Sequence, residues 1–152
     1  MKGKVWKRSM QVLGFIIICG LALFSVKGKQ SQEMKAQSTL KDNKLGLCSE
    51  KPNCVSSFQD KNDEHYIAPS PFISFPMEQA DQFFKDCKIE IKSENYRHYT
   101  CTSNIFKFVD DVEIFVLENI IYYRSASRVG HSDLGKNRKR IEDFQKTFIK
   151  YK

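Results

Sequence analysis

The sequence lacks the motifs that would assign it to a known class of enzyme. It has no Gly-x-Ser-x-Gly elbow, no Walker loop and no His-Glu-x-x-His pair, which are typical of hydrolases, nucleotide-binding enzymes and zinc peptidases. Its 152 residues are too few for a TIM barrel. Its five cysteines are too few for a disulfide scaffold of this length. These absences leave a single domain with a packed core as the expectation.

A basic folded surface is missing as well. Residues 1–47 hold 9 Lys/Arg and 2 Asp/Glu, and the rest of the 25 Lys/Arg and 18 Asp/Glu, 16 of each, lie in residues 48–152. The net charge of +7 therefore belongs to the N-terminal part alone. Because a nucleic-acid-binding domain presents a basic surface, we expect no nucleic-acid partner.

An apolar run follows the basic N-terminus. Residues 9–26 carry no charge, and four of residues 1–8 are Lys or Arg. This predicts a signal anchor or a signal peptide over residues 1–29, with Cys19 offering a lipoprotein alternative. The anchor is favoured, because a good small-x-small cleavage site is missing and Ile18 precedes the cysteine where lipidation needs a small residue.

The basic flank predicts which side of the membrane the domain occupies. It keeps the N-terminus in the cytoplasm, so we expect a single-pass protein of the cell membrane with its domain on the periplasmic or extracytoplasmic side. Cleavage would instead release a secreted form. Residues 30–47 are polar and lack apolar periodicity, which predicts a flexible linker, with a surface helix as the alternative.

Four cysteines lie outside the apolar run, an even number that suits an oxidising compartment. A Pro-Asn turn between Cys48 and Cys54 favours a small closed loop. If residues 93–95 form a turn, Cys87 lies opposite Cys101 on two paired strands, within disulfide reach. The gaps of five and thirteen residues argue against a four-thiolate zinc site, and we expect neither a metal nor a cofactor.

Alternation and helical spacing predict the remaining elements. Strands are expected over 65–73, 88–92, 96–102, 108–117 and 120–128, and helices over 75–86 and 134–151. The first helix would have Pro76 in its first turn, and the last would bury Ile141, Phe144 and Phe148. This order predicts an α+β domain over residues 48–152, an antiparallel sheet of four to five strands with two helices on one face.

Polar residues gather where the second hairpin leaves the sheet. A two-residue turn at 118–119 places Glu113 opposite Arg124 and Asp111 diagonally between Arg124 and Arg128. The start of the last helix has free backbone N–H groups, which together with arginines suit an anion. The candidate ligand-binding residues are Asp110, Asp111, Glu113, Arg124, Ser125, Ser127, Arg128, Ser132, Asp133, Asn137 and Arg138.

Two interpretations of these residues stay open. In the first, Glu113 holds Arg124 and leaves Arg128 freer to meet an anionic ligand beside the helix start. In the second, the acids neutralise the arginines in a structural network and Asp133 caps the helix. The first predicts a module that binds a small anion or an envelope protein. A hydrolase-like enzyme and a purely structural envelope protein are the alternatives, and an enzyme is the less favoured reading.

Three stretches together carry a family resemblance. They are Pro-Asn-Cys-Val-Ser-Ser at 52–57, Phe-Val-Asp-Asp-Val-Glu at 108–113, and Arg-Ser-Ala-Ser-Arg-Val-Gly at 124–130 with Ser-Asp-Leu-Gly at 132–135 and Asn-Arg at 137–138. The set resembles the domain of unknown function 1499, over about residues 45–150. Ser49 stands where the family has proline and His131 where it has tyrosine. The family name implies no activity, so no catalytic role is transferred from it.

Overall fold

The computed structural model describes residues 2–72 and 77–149. An N-terminal helix precedes a mixed domain. The elements are α1 Lys2–Glu33, β1 Cys54–Ser56, β2 Ser70–Pro71, α2 Glu78–Phe83, β3 Lys88–Lys92, β4 Tyr96–Thr102, β5 Val109–Leu117, β6 Ile120–Ser127 and α3 Lys136–Ile149. Within α1, Met10–Glu33 is long and apolar enough to cross a membrane, although a signal sequence has the same properties.

The strands form one antiparallel sheet, which confirms the predicted α+β class. Its order is β1-β6-β5-β4-β3, and β2 also pairs with β6. The short β1, which lies on the far edge of β6, was not predicted. Of the strand expected over 65–73, Ser70 and Pro71 form β2 and Tyr66 makes an isolated parallel bridge to Ser56. The strand is not longer because Pro69 and Pro71 lack the N–H groups that continue a ladder; residue 73 lies outside the described residues.

The second hairpin has the predicted register throughout. Glu113 pairs with Arg124, Asp110 with Ser127 and Leu117 with Ile120. Its two-residue turn places Glu118 and Asn119 at φ 49° and 62°. Two consecutive positive φ values are typical of a type I′ turn, whose twist matches that of the paired strands. The turn therefore determines which side chains meet across β5 and β6.

The first hairpin departs from the predicted register at one point. Ile89 lies opposite Tyr99 as expected, but Ile91 lies opposite His98 instead of Arg97. A β-bulge between Ile89 and Ile91 causes this shift, since it adds one residue to one strand.

Both disulfides predicted from the sequence are present. Cys48 bonds Cys54 and Cys87 bonds Cys101, with Cα atoms 5.6 Å and 4.5 Å apart respectively. The first closes the loop that leads into β1, and the second joins the start of β3 to β4. Two structural disulfides indicate an oxidising, extracytoplasmic environment.

The two short helices pack on one face of the sheet, as predicted. Ala80 and Phe84, at α2 and its end, join Ile141 and Phe144 of α3 in the main hydrophobic core. The helix expected over 75–86 is shorter, Glu78–Phe83; its predicted first turn at Phe75 and Pro76 lies outside the described residues, as does the side chain of Phe148. The last helix begins two residues later than expected, because the residues before it have positive φ.

The opposite face of the sheet is covered by residues 34–47, which we call the covering segment. Leu45 is 2% exposed and packs with Tyr96 and Phe115, and Leu40 joins them. Backbone and side chain of Thr39 both donate to Glu113 of β5. The prediction of a flexible linker over residues 30–47 is therefore wrong for this segment. Its polar sequence lacks periodicity because it is neither helix nor strand, yet contacts of Ser38, Thr39 and Leu45 hold it against the sheet.

Candidate functional site

The eleven candidate residues lie in three separate places instead of one. Asp111, Glu113, Arg124 and Arg128 lie under the covering segment. Asp110, Ser125, Ser127 and Asn137 lie on the helix side of the sheet. Ser132, Asp133 and Arg138 lie with Asn137 around a surface pocket. The alternation of β-strand side chains explains the first division, since neighbours such as Asp110 and Asp111 point to opposite faces.

Glu113 is the centre of the group under the covering segment. It is 0% exposed and accepts four hydrogen bonds. Thr39 donates from its backbone N–H to Oε1 and from its hydroxyl to Oε2, at 2.8 and 2.7 Å. The hydroxyl of Tyr96 donates to Oε1 at 2.6 Å, and Nη1 of Arg124 to Oε2 at 3.2 Å. A buried carboxylate with four donors is a structural centre, because no lone pair is left for a ligand.

Asp111 holds Arg128, contrary to the expectation that Arg128 would be free. The guanidinium donates from Nε and Nη2 to the two carboxylate oxygens at 2.7 and 2.8 Å, and Nη1 donates to the carbonyl of Met34. Nε2 of His98 also meets Asp111, at 2.8 Å. Burial alone would raise the pKa of Asp111, but the hydrogen bonds from Arg128 and His98 outweigh it and lower that pKa.

His98 of β4 is 0% exposed. The covering segment lies over this face of the sheet, which the sequence did not indicate. Its Nδ1 is buried without a partner among the described residues. The four charged residues Asp111, Glu113, Arg124 and Arg128 are thus paired and covered, as the structural-network interpretation predicts.

A second network joins the sheet to the start of α3. Asn137 is 1% exposed and accepts a hydrogen bond from the hydroxyl of Ser125 at 2.5 Å. Its side-chain amide donates to the carbonyl of Asn53 at 2.9 Å and to the hydroxyl of Ser127 at 3.1 Å. Ser127 donates to Asp110 at 2.6 Å, and Arg140 donates to the same carboxylate at 2.7 Å. Each side chain of this network has a hydrogen-bond partner inside the protein, and the network positions α3 on the sheet.

A pocket of about 250 Å³ opens beside this second network. It lies between the loop before β1, the turn around residue 65 and the start of α3. Its walls carry two carboxylates, one imidazole and one guanidinium. The lining residues are Pro52, Cys54, Val55, Glu64, His65, Ser132, Asp133, Gly135, Asn137 and Arg138.

Arg138 differs from the other arginines of the domain. Arg97, Arg124, Arg128 and Arg140 each pair with a carboxylate. Within the described residues Arg138 pairs with none, and its Nη2 donates to the backbone carbonyls of Glu64 and Tyr66 at 2.5 and 3.0 Å. Two neutral acceptors hold the guanidinium in place without cancelling its charge. Nε and Nη1 have no hydrogen-bond partner among the described residues.

The start of α3 does not offer the anion site that the sequence suggested. Oδ1 of Asp133 accepts from the N–H of Gly135 at 3.0 Å and Oδ2 from the N–H of Asn137 at 2.7 Å, so the cap occupies the position of an anion. Residues 130–137 have the Gly and Lys spacing of a phosphate-binding loop, but Asn137 replaces its Ser or Thr. Because Asp133 takes two of these amides, the likeness extends only to the sequence.

His65 contributes a carboxylate–imidazole pair to the wall of the pocket. Nδ1 lies 2.7 Å from Oδ1 of Asp63, and Nε2 lies 3.1 Å from the carbonyl of Lys51. The backbone N–H of His65 also donates to Asp63 and, with Gln59, lowers the pKa of that carboxyl to about 2. Both ring nitrogens face acceptors inside the protein, so neither is positioned to contact a substrate in the pocket.

Sequence reasoning missed several residues that the structure places here. Asn53 and Arg140 belong to the second network, Thr39 and Tyr96 bind Glu113, and His65 lines the pocket. Asn53 stood inside a motif stretch already singled out and was the one with a usable signal. Thr39 had none, because its partner lies 74 residues away in the sequence.

Fold and site together define an α+β domain, tied by two disulfides and preceded by an apolar helix that has the properties of a membrane span or a signal. The chain belongs to the family described as protein of unknown function (DUF1499), whose model matches residues 44–148. The resemblance stated from three sequence stretches is thereby confirmed. Neither the curated proteins nor the solved structures include a match to the chain.

Proposed function

We propose that the protein is a membrane-anchored binding module whose pocket at Arg138 takes a small anionic molecule outside the cytoplasm. The observation that carries this proposal is the state of Arg138. Of the five arginines in the domain, it is the one without a carboxylate partner among the described residues, and it lines the pocket. A guanidinium with free N–H groups favours a planar or tetrahedral oxyanion such as a carboxylate or a phosphate.

The other charges of the pocket restrict the ligand further. Glu64 and Asp133 also line it, so an anion is favoured only on the side of Arg138. A ligand that carries both an acidic group and a donor, such as an ammonium, would meet complementary charge at both ends. Binding is favoured over hydrolysis because both nitrogens of His65 are engaged, and because the hydroxyl of Ser132 accepts from the N–H of Leu134 at 3.2 Å as part of the loop.

Thermal melts of the full chain in detergent test this proposal with two probes, phosphate and phosphoethanolamine. Ligand at 100 times its dissociation constant stabilises a protein by about 2.7 kcal/mol. We expect both probes to raise the melting temperature, and phosphoethanolamine to do so at lower concentration. Arg138→Gln should abolish the effect, whereas Lys136→Gln removes the same charge from an exposed position of the same helix and should retain it.

Two results would contradict the proposal. One is the absence of any shift with either probe in the wild-type protein. The other is an equal shift in Arg138→Gln and Lys136→Gln, because that would assign the effect to general charge instead of the pocket. If neither result is obtained, mass spectrometry of compounds that co-purify with the native protein would identify the natural ligand.

A further inference from the structure

The end of α1 and the loop between β4 and β5 touch over more than two helical turns. We call residues 103–108 the contact loop. Phe24 packs against Phe106 and Phe108, with ring centroids 5.2 and 6.2 Å apart. One turn further along, Gly28 meets the backbone of Phe106. Ser31 then accepts from the N–H of Val109 at 2.9 Å. The helix therefore lies along the loop and does not merely lead to it.

Gly28 is the residue that permits this approach. A Cβ atom built on it would lie 1.6 Å from the carbonyl oxygen of Phe106, a backbone atom that has no room to yield. Gly20 on the same helix has nothing within 4 Å of a built Cβ. Glycine lowers the stability of a helix interior, so its presence at 28 is explained by the close contact and not by the helix.

The depth of this contact follows from the length of the apolar run. Residues 9–26 are the charge-free part of the helix. At 1.5 Å per residue they span about 27 Å, a little less than the ~30 Å of a bilayer core. Because the run is no longer than the bilayer core is thick, all of it is needed to cross the core. Its last turn, which contains Phe24, therefore lies inside the membrane boundary. Whatever packs on Phe24 lies at that boundary too.

The contact loop has the composition that such a position requires. Ile105 at its tip is 82% exposed, beside the aromatic Phe106. Lys107 on the loop and Lys27 and Lys29 on the helix are exposed nearby. Apolar and aromatic side chains suit the lipid interface, and lysines suit lipid phosphates. The opposite end of the sheet carries the turn at 93–95, about 20 Å away along the seven residues of β4.

We propose that the contact loop and the end of α1 form one membrane-contact surface, in which Ile105 and Phe106 enter the lipid interface and Gly28 fixes the helix against the loop. The partner is the bilayer itself. This inference rests on the membrane anchoring proposed above. It adds that the domain has one fixed orientation, with the sheet end that carries Val109 and Ser127 facing the membrane.

Tryptophan fluorescence in vesicles tests the surface. The single native tryptophan is Trp6, so Trp6→Phe provides a silent background. Ile105→Trp, and Glu94→Trp at the other end of the sheet, each add one reporter to the full chain in phosphatidylcholine vesicles with brominated acyl chains. We expect Ile105→Trp to be quenched and blue-shifted relative to Glu94→Trp. Gly28→Ala should remove this difference, and Gly20→Ala should retain it.

Flotation of the same vesicles distinguishes a failure of the membrane-contact surface from a failure of the membrane anchoring. If the protein floats with the vesicles and both reporters stay unquenched, the contact surface is refuted while the anchoring stands. If Gly28→Ala retains the quenching as Gly20→Ala does, the fixed helix–loop contact is refuted. If the protein does not float, or is extracted by alkaline carbonate, the anchoring fails and this inference fails with it.

Discussion

Replacement of Glu113 by alanine should be among the most damaging single changes in this domain. The carboxylate is 0% exposed and accepts four hydrogen bonds, two of them from Thr39. Its removal would leave Arg124 charged and largely buried, with Nε already unpartnered among the described residues. Breaking one side of a buried ion pair typically costs about 3–5 kcal/mol. A domain of this size has only about 5–15 kcal/mol in total.

Equilibrium urea denaturation of the oxidised full chain measures this loss. We expect Glu113→Ala to lower the free energy of unfolding by about 3–5 kcal/mol. Tyr96→Phe and Thr39→Val each delete a hydrogen bond to the charged Glu113 and a second one to a neutral partner, so each should cost at least about 1.5–3 kcal/mol. Asp143→Ala is the control, because Asp143 pairs with Lys139 and Lys146 on an exposed side of α3, and its loss should be much smaller.

The double change Glu113→Met with Arg124→Leu tests whether the loss in Glu113→Ala comes from leaving Arg124 buried and unpaired. Replacing both members of a buried pair by apolar side chains is often neutral or stabilising, so the double variant should regain much of what Glu113→Ala loses. If Glu113→Ala loses no more stability than Asp143→Ala, then the carboxylate is not buried as the structure has it. In that case the covering segment does not close this face of the sheet.

Two further predictions concern the Cys87–Cys101 disulfide and Asp111. Replacing Cys87 and Cys101 by serine opens a loop with a sequence separation of 14, so urea denaturation should show a loss of about 3 kcal/mol on the chain-entropy model; an unchanged midpoint would refute this. Hydrogen bonds from Arg128 and His98 lower the pKa of Asp111 despite its burial. The ionised Asp111 therefore stabilises the fold fully above its ordinary pKa of 3.8, and this stabilisation is lost as the pH falls through the lowered pKa. Asp111→Asn should therefore make stability less dependent on pH below 3.8. The measurement is the urea midpoint at several acid pH values, and a midpoint that falls as steeply in the variant as in the wild-type protein would contradict this.

The sequence alone determined the parts of the fold that depend on local chemistry. The two-residue turn at 118–119 and the alternation of β5 and β6 specify which residues pair, since a slip of one residue would turn every side chain to the other face. Opposition across a hairpin likewise predicted the Cys87–Cys101 disulfide. The apolar run near the N-terminus needed composition only. In the first hairpin a bulge shifts the register after Ile89, and no residue type in the sequence indicates this bulge.

Only the tertiary structure decided which charged groups are free. The sequence placed Glu113 opposite Arg124 but not the covering segment above them, because Thr39 and Leu45 make contacts that no local pattern encodes. It also favoured Arg128 for an anion, whereas Asp111 holds that side chain and Arg138 is the arginine left without a carboxylate among the described residues. Such a choice depends on how a loop and a helix end meet in space. Pairing energies act over a few ångströms of distance, and sequence separation does not measure that distance.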